Sequence, residues 1–119
     1  LIEKSMKVVI AGSRTITDRV AVAKAIRMSG FDITEVVSGK AAGVDRLGET
    51  WAIANNIPVK EMPAKWQKYD KAAGPIRNGE MAAYCDAAII VWDGKSQGAL
   101  DMIRKIKDVG KPYFIDVVL

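Results

Sequence analysis

Short apolar runs alternate along the chain with stretches of helical period. Lys7-Val8-Val9-Ile10-Ala11 is rich in β-formers, ends at Gly12 and predicts a buried strand. Residues 18–29 predict a helix, with Thr17 or Asp18 as N-cap and Gly30 as the stop. Val20, Ala23 and Ile26 give its expected inner face. Ile33 to Val37 predicts the second strand, closed by Ser38-Gly39. Residues 43–55 predict the second helix, with Val44, Leu47, Trp51 and Ala54 spaced by three and four. Ile57 to Met62 predicts a third strand. Residues 63–74, which hold Pro63 and Gly74 and run into Pro75, read as a long loop, with a helix over about 76–85 behind them. Ala87 to Trp92 is the most apolar run and predicts a central strand. After the polar Gly94–Gly98 loop comes a helix over 98–109, with Ala99, Ile103 and Ile106 inward. Gly110-Lys111-Pro112 breaks it, and Tyr113 to Val118 predicts the last strand.

Strand–helix repetition with nearly continuous apolar strands predicts an α/β fold: a doubly wound parallel sheet of about five strands with helices on both faces. If the strand order is 3-2-1-4-5, the winding reverses between the first and fourth strands. A crevice then opens at their carboxyl ends, the usual ligand site of such sheets. Gly12-Ser13-Arg14 and Asp93 to Gly98 are the loops that empty into it.

Composition narrows the chemistry. The 119 residues make one domain, 50% hydrophobic and 27% charged. No apolar run approaches the roughly 18–20 residues of a membrane span. Leu1–Ser5 hold two charges and no apolar segment of a signal peptide; Met6 is the expected start, with residues 1–5 an upstream or unstructured extension. There is no histidine, which excludes Ser-His-Asp and Cys-His nucleophile systems and HExxH zinc sites. The one cysteine, Cys85, excludes disulfides and Cys-rich metal sites, suits a reducing, cytoplasmic compartment, and reads as a small core residue. No metal and no cofactor are expected. The net charge is +4, and residues 60–77 concentrate it: Lys60, Lys65, Lys68, Lys71 and Arg77 face only Glu61 and Asp70. Such a patch favours an anionic partner, or is a set of solvated lysines.

The loops carry anion chemistry. Gly12 permits close backbone approach, Ser13 offers a hydroxyl and Arg14 a planar fork for phosphate or carboxylate. The Gly94–Gly98 loop opens a helix whose free N–H groups favour an anion, with Lys95 and Ser96 adding a charge and a hydroxyl. Ser38-Gly39-Lys40-Ala41-Ala42-Gly43 is a third small-residue loop at a helix start. Generic fingerprints are absent: there is no GxGxxG, and Gly39-Lys40 lacks the earlier glycine of a Walker A loop.

The segments VVIAGSR, SGKAAGVDRLGETWA and GPIRNGEMAAYCDAAIIVWDGKSQGA, in that order, resemble the SLOG superfamily, which includes DprA-type proteins and LOG phosphoribohydrolases. The likeness runs from about Lys7 to Val118 and is greatest to small YspA/YpsA-related proteins of bacteria and phages. It implies a Rossmann-like domain over residues 1–119 that binds a nucleotide or a nucleotide-derived, ADP-ribose-like ligand. Its motif positions here are Gly12, Ser13, Arg14, Ser38, Gly39, Gly43, Asp45, Arg77, Asn78, Met81, Gly94, Ser96 and Gly98, with Lys95 beside them. Arg77 reads as a phosphate ligand or a surface helix charge. The Asn78 amide suits a ribose or base edge. Asp45 suits ribose contact or simple compensation of the helix dipole. Trp66 and Tyr69 suit base stacking, or a cap on the core or a subunit contact.

One departure bears on activity. The phosphoribohydrolases carry a PGGxGTxxE loop whose glutamate works on the N-glycosidic bond. Here Ala99 takes the threonine place and Met102 the glutamate place, with Asp101 one residue away. Three readings follow: a nucleotide-binding module for sensing or sequestration; an N-glycosidic hydrolase or transferase using Asp45, Asp93 or Asp101; and a DprA-like single-strand DNA binder. The first fits best, with a small-molecule partner, no nucleic acid, no membrane, and assembly as a homodimer or higher oligomer.

Overall fold

Alternation along the central strands divides the core into two layers. Val8 and Ile10 of β1 (Met6–Gly12) point to one face and Val9 and Ala11 to the other; all four are buried. A computed structural model describes residues 5–119, so the expectation for the first residues lies, but for Ser5, outside them. The strands are β1, β2 (Ile33–Ser38), β3 (Val59–Glu61), β4 (Ala87–Trp92) and β5 (Tyr113–Val117). They form one sheet in the order β3-β2-β1-β4-β5, every pair parallel. This is the order that puts the reversal between β1 and β4, where Gly12 lies opposite Val91. Helices α1 (Arg19–Ser29) and α2 (Val44–Ala54) pack with Val8, Ile10, Val36, Ile89 and Val91. Helices α4 (Ala73–Tyr84) and α5 (Gln97–Asp108) pack on the opposite face with Val9, Ala11, Val37, Ala88 and Ile90. Between β3 and α4 the chain makes a one-turn helix, α3 (Trp66–Tyr69), and a 3-10 turn over Asp70–Ala72. No helix among the described residues is long and apolar enough to cross a membrane.

Local signals set the boundaries. The Asp18 side chain accepts the Val20 N–H at 2.9 Å and caps α1, and Gly30 ends it in the left-handed conformation. Ser96 caps α5. Lys111 reaches back to donate from Nζ to the carbonyls of Ala82, Ala83 and Cys85 at the end of α4. A cation there satisfies terminal acceptors and opposes the helix dipole.

Several expectations shift. The inner stripe of α1 is Val22, Ala25 and Ile26, while Val20 is 69% exposed. Val20 to Ala23 are all apolar, so periodicity does not fix the phase there. In α2 the buried stripe runs through Val44, Gly48 and Ala52; Leu47 and Trp51 are half-buried and Ala54 is exposed. Gly48 lets the helix approach Ile10 closely, and that approach turns Asp45 inward. The stretch 63–74 is not all loop, because α4 begins at Ala73 and holds Gly74 and Pro75 in its first turn. Proline is tolerated there because first-turn N–H groups have no intrahelical acceptor. β3 is three residues long, since Ile57 still bonds back to α2 through the Ala52 carbonyl. Cys85 is buried, as a core residue should be, and burial pushes its thiol pKa up.

Candidate functional site

Gly12 ends β1 at the reversal. A side chain there would meet the Val91 carbonyl oxygen and, at 2.9 Å, Val44 Cγ2, so only glycine lets the strands and α2 close up. The chain then turns through Ser13, whose N–H bonds the Val91 carbonyl at 3.1 Å. The buried Ser13 Oγ accepts the Asp93 N–H at 2.9 Å, tying the β1 loop to the β4 loop. Asp93 organises its own loop. Its Oδ1 accepts the N–H groups of Lys95 and Ser96, each at 2.8 Å, and Thr15 donates to Oδ2 at 3.3 Å. The bonds from Ser96 and Lys95 hold the Asp93 carboxyl below its ordinary pKa. Asp93 is thus held as the anion that organises this loop.

The crevice is a cavity of about 370 Å³ above the β1/β4 junction. Gly12, Arg14, Asp45, Arg77, Asn78, Met81, Ser96 and Gly98 line it, which brings eight of the motif positions together. Gly39 lines a smaller hollow beside it, again with Arg14 and Arg77. Ser13, Ser38 and Gly43 stand behind the wall. The Ser38 hydroxyl donates to Glu49 at 2.5 Å and accepts the Lys40 N–H at 3.1 Å, and Gly43 packs on the carbonyls of Ser13 and Arg14. Gly94 and Lys95 are not brought to the crevice. Gly94 packs towards Val117 and Leu119, and Lys95 is exposed, because the bonds to Asp93 turn this part of the loop outward. Asp93 likewise does not line the cavity.

Arg77 is 8% exposed and therefore no surface helix charge. Its Nε donates to Asn78 Oδ1 at 3.0 Å, and Nη1 donates to the Gly39 carbonyl. Asn78 in turn donates from Nδ2 to Gly98 O at 3.3 Å and to Asp101 Oδ2 at 2.9 Å. Lys105 closes the series on Asp101 Oδ1 at 2.6 Å. Asn78 thus aims Arg77 and joins α4 to α5 from the cavity wall.

The charged groups of the wall are Arg14 and Arg77 with Asp45 and Asp101. Burial lowers the guanidinium pKa of Arg77; Asp45 raises it and nearby Arg14 lowers it again. Among the described residues neither arginine is paired with a carboxylate. Asp45 is 4% exposed, and burial pushes its pKa up to about 6 against the pull of the Ala41 N–H, the Arg77 charge and the Gly12 N–H. Lys40 is held by Glu49 at 3.0 Å and Glu61 at 3.2 Å, bonds that raise its pKa and occupy its charge. Gln97 and Gly98 lie in the first turn of α5, where N–H groups have no intrahelical acceptor. Among the described residues no three His, Cys, Asp or Glu side chains gather as a metal site.

Sequence reasoning gave Pro75 and Gln97 of the wall no role in the site. Trp66, half-exposed, lines both the cavity and the hollow with its indole close to Gly74; Tyr69 lines neither. Pro75, Met81, Gln97, Asp101 and Met102 belong to the same wall. Met102 is 1% exposed, a thioether in the floor of the cavity.

No curated protein and no solved structure matches the chain. A family model described as YAcAr, the YspA, cpYpsA-related SLOG family, matches residues 6–69, from β1 through α3. That span is more than half of the chain and carries Gly12, Arg14, Gly39, Asp45 and Trp66. Arg77 and the 93–98 loop lie beyond it. The chain belongs to the YspA, cpYpsA-related SLOG family.

Proposed function

We propose that the crevice binds a nucleotide or nucleotide-derived ligand through its phosphates, to sense or sequester it, and turns it over slowly or not at all. One observation carries this reading: Arg77, buried and aimed by Asn78 and Gly39, shares a cavity with Arg14, and neither has a carboxylate partner among the described residues. Two adjacent cations in a half-enclosed site repel each other, and an anion between them converts that repulsion into attraction. Charge-assisted bonds to phosphate contribute roughly 1.5–3 kcal/mol each. Two or three of them, with stacking on Trp66, reach the roughly 8 kcal/mol of micromolar affinity. Membership of the SLOG family accords with nucleotide-related binding in general.

Cleavage of a glycosidic bond asks for a carboxyl group at the bond. On the resemblance to the phosphoribohydrolases Met102 takes the place of their glutamate, and Asp101 is held by Asn78 and Lys105. A second reading, N-glycosidic hydrolysis, draws on Asp45, whose pKa of about 6 lets it exchange a proton near neutrality inside the cavity. Calorimetry with mono-, di- and cyclic nucleotides and ADP-ribose, followed by chromatography of each mixture after hours, tests both. The expected result is micromolar binding of at least one ligand, weakened about tenfold or more by Arg14→Ala and by Arg77→Ala, with the ligand intact. Rapid release of free base establishes the second reading instead, and absence of binding to every ligand overturns the first.

A further inference from the structure

The sheet ends in two unlike edges. β3 closes one of them in three residues, with Lys60 and Glu61 in the strand and Pro58 and Pro63 nearby. Short length, charge and proline are devices that keep an edge from pairing with another chain. β5 closes the other edge with Tyr-Phe-Ile-Asp-Val, which holds one charge and no proline. Among the described residues it pairs only with β4. Tyr113 and Val117 are nearly half exposed there.

Hydrogen bonds within the sheet determine which backbone groups this edge leaves open. The Ala88 N–H donates to the Pro112 carbonyl at 3.1 Å, and the Val118 N–H donates to the Trp92 carbonyl at 2.7 Å. In a parallel pair each residue turns its N–H and its C=O to the same side, and successive residues alternate. The register runs from Ala88 opposite Tyr113 to Trp92 opposite Val117, so positions 112, 114, 116 and 118 face β4. Tyr113, Ile115 and Val117 turn their N–H and C=O groups outward.

These open groups are symmetric about Ile115. A second β5 laid antiparallel along the first, with a two-fold axis at Ile115, sets Ile115 against itself and Tyr113 against Val117 of the second copy. Each of these is a hydrogen-bonded pair, so every outward N–H of either strand finds a carbonyl. A slip of one residue sets outward positions against inward ones and loses all of these bonds. The side chains agree with this register. Ile115 packs on the α5 face of the sheet, so Tyr113 and Val117 project to that face too. Aromatic and β-branched residues paired across strands are stabilising. The one charge, Asp116, lies on the other face opposite Phe114 of the second copy. The two Asp116 carboxylates then flank the axis, a like-charge approach that weakens the pair.

Size limits its strength. A five-residue edge is about 17 Å long on a layer about 10 Å thick. That is small beside the roughly 800 Å² per partner of a standard interface, so the contact fits a reversible dimer.

We infer that β5 is a self-association edge, through which two copies of this chain pair antiparallel at Tyr113, Ile115 and Val117 and join their five-stranded sheets into one. The two crevices then open at opposite ends of the joined sheet. None of the three residues lines the crevice, so the inference does not rest on the nucleotide-binding reading.

The test is sedimentation velocity on the full chain from about 5 μM to about 1 mM, with amide hydrogen exchange read at both ends of that range. A monomer is expected to pass into a dimer on concentration. The amides of Tyr113, Ile115 and Val117 are then expected to exchange about tenfold more slowly or better, while those of Phe114, Asp116 and Val118, already bonded to β4, change little. Val117→Pro deletes an outward N–H and spares the ladder to β4. It is expected to move dimerisation to about tenfold higher concentration or beyond. Tyr113→Asp, at the other exposed end of the strand, serves the same purpose where thermal unfolding of dilute protein shows that the first variant is damaged. A chain that stays monomeric throughout overturns the inference. A dimer whose three outward amides remain unprotected, or one that both variants leave unchanged, also overturns it and puts self-association on another surface.

Discussion

Asp45 carries a carboxyl group that burial makes costly to ionise. Its folded-state pKa of about 6 lies above the ordinary 3.8, so the folded chain holds this proton more tightly than the unfolded chain does. The sign follows from linkage. Below about pH 4 both states are protonated and Asp45 costs nothing; the penalty grows as the pH rises through about 4 to 6 and is complete above that. About two pKa units correspond to on the order of 3 kcal/mol. Urea denaturation between pH 4.5 and 7.5 is expected to show the wild type losing stability from this group over that window, and Asp45→Asn is expected to lose that slope. An unchanged slope in the variant contradicts the burial argument. Gly39 makes a second test at this scale. A side chain there would meet Arg77 Nη1 and, at 2.9 Å, Asp45 Oδ2. The guanidinium end can swing away, so Gly39→Ala is expected to keep the fold but weaken ADP binding by about tenfold, as one lost charge-assisted bond would. Equilibrium dialysis against ADP, beside a thermal melt, checks it.

Helices and strands were legible where their period was strict and their ends were marked. Asp18, Gly30 and Ser96 cap as their residue types require. The long apolar run of β4 could only be a central strand. Legibility failed where the pattern was degenerate or the determinant lay elsewhere in the chain. Val20-Ala21-Val22-Ala23 supports two phases of α1, and only packing on the sheet selects one. The inward turn of Asp45 follows from Gly48 meeting Ile10, a contact between residues 38 positions apart in sequence. The end of α4 is likewise set from a distance, by Lys111 Nζ on three carbonyls. Lys111→Met keeps the aliphatic stem and removes these bonds. Its expected cost is about 1.5–3 kcal/mol in urea denaturation, the range for a bond to a charged group, with an unchanged m-value. A cost near zero would mean that water satisfies the three carbonyls equally well.

At the scale of the molecule, strand order makes the site. Reversal between β1 and β4 places the loops after both strands at one end of the sheet, and the paired apolar strands and polar loops announced this. The sequence also offered Arg14, Arg77 and the α5 start as anion chemistry, with a surface helix charge as the other reading of Arg77. It did not show that Asp93 turns Gly94 and Lys95 away, that Asn78 serves Arg77, or that Trp66 stands between two hollows. These depend on hydrogen bonds between separate loops and on the path of residues 63–72, which no local period encodes. The central claim is that a nucleotide occupies this crevice. Titrating ADP into ¹⁵N-labelled protein while following every backbone amide tests it most directly. Saturable shifts are predicted at Gly12, Arg14, Ala41, Arg77, Gln97 and Gly98, with β5 and α1 unmoved, and Arg77→Ala should shift the midpoint to about tenfold higher ADP. Amides that stay still at millimolar ADP, or shifts confined to surfaces away from β1 and α5, would contradict it.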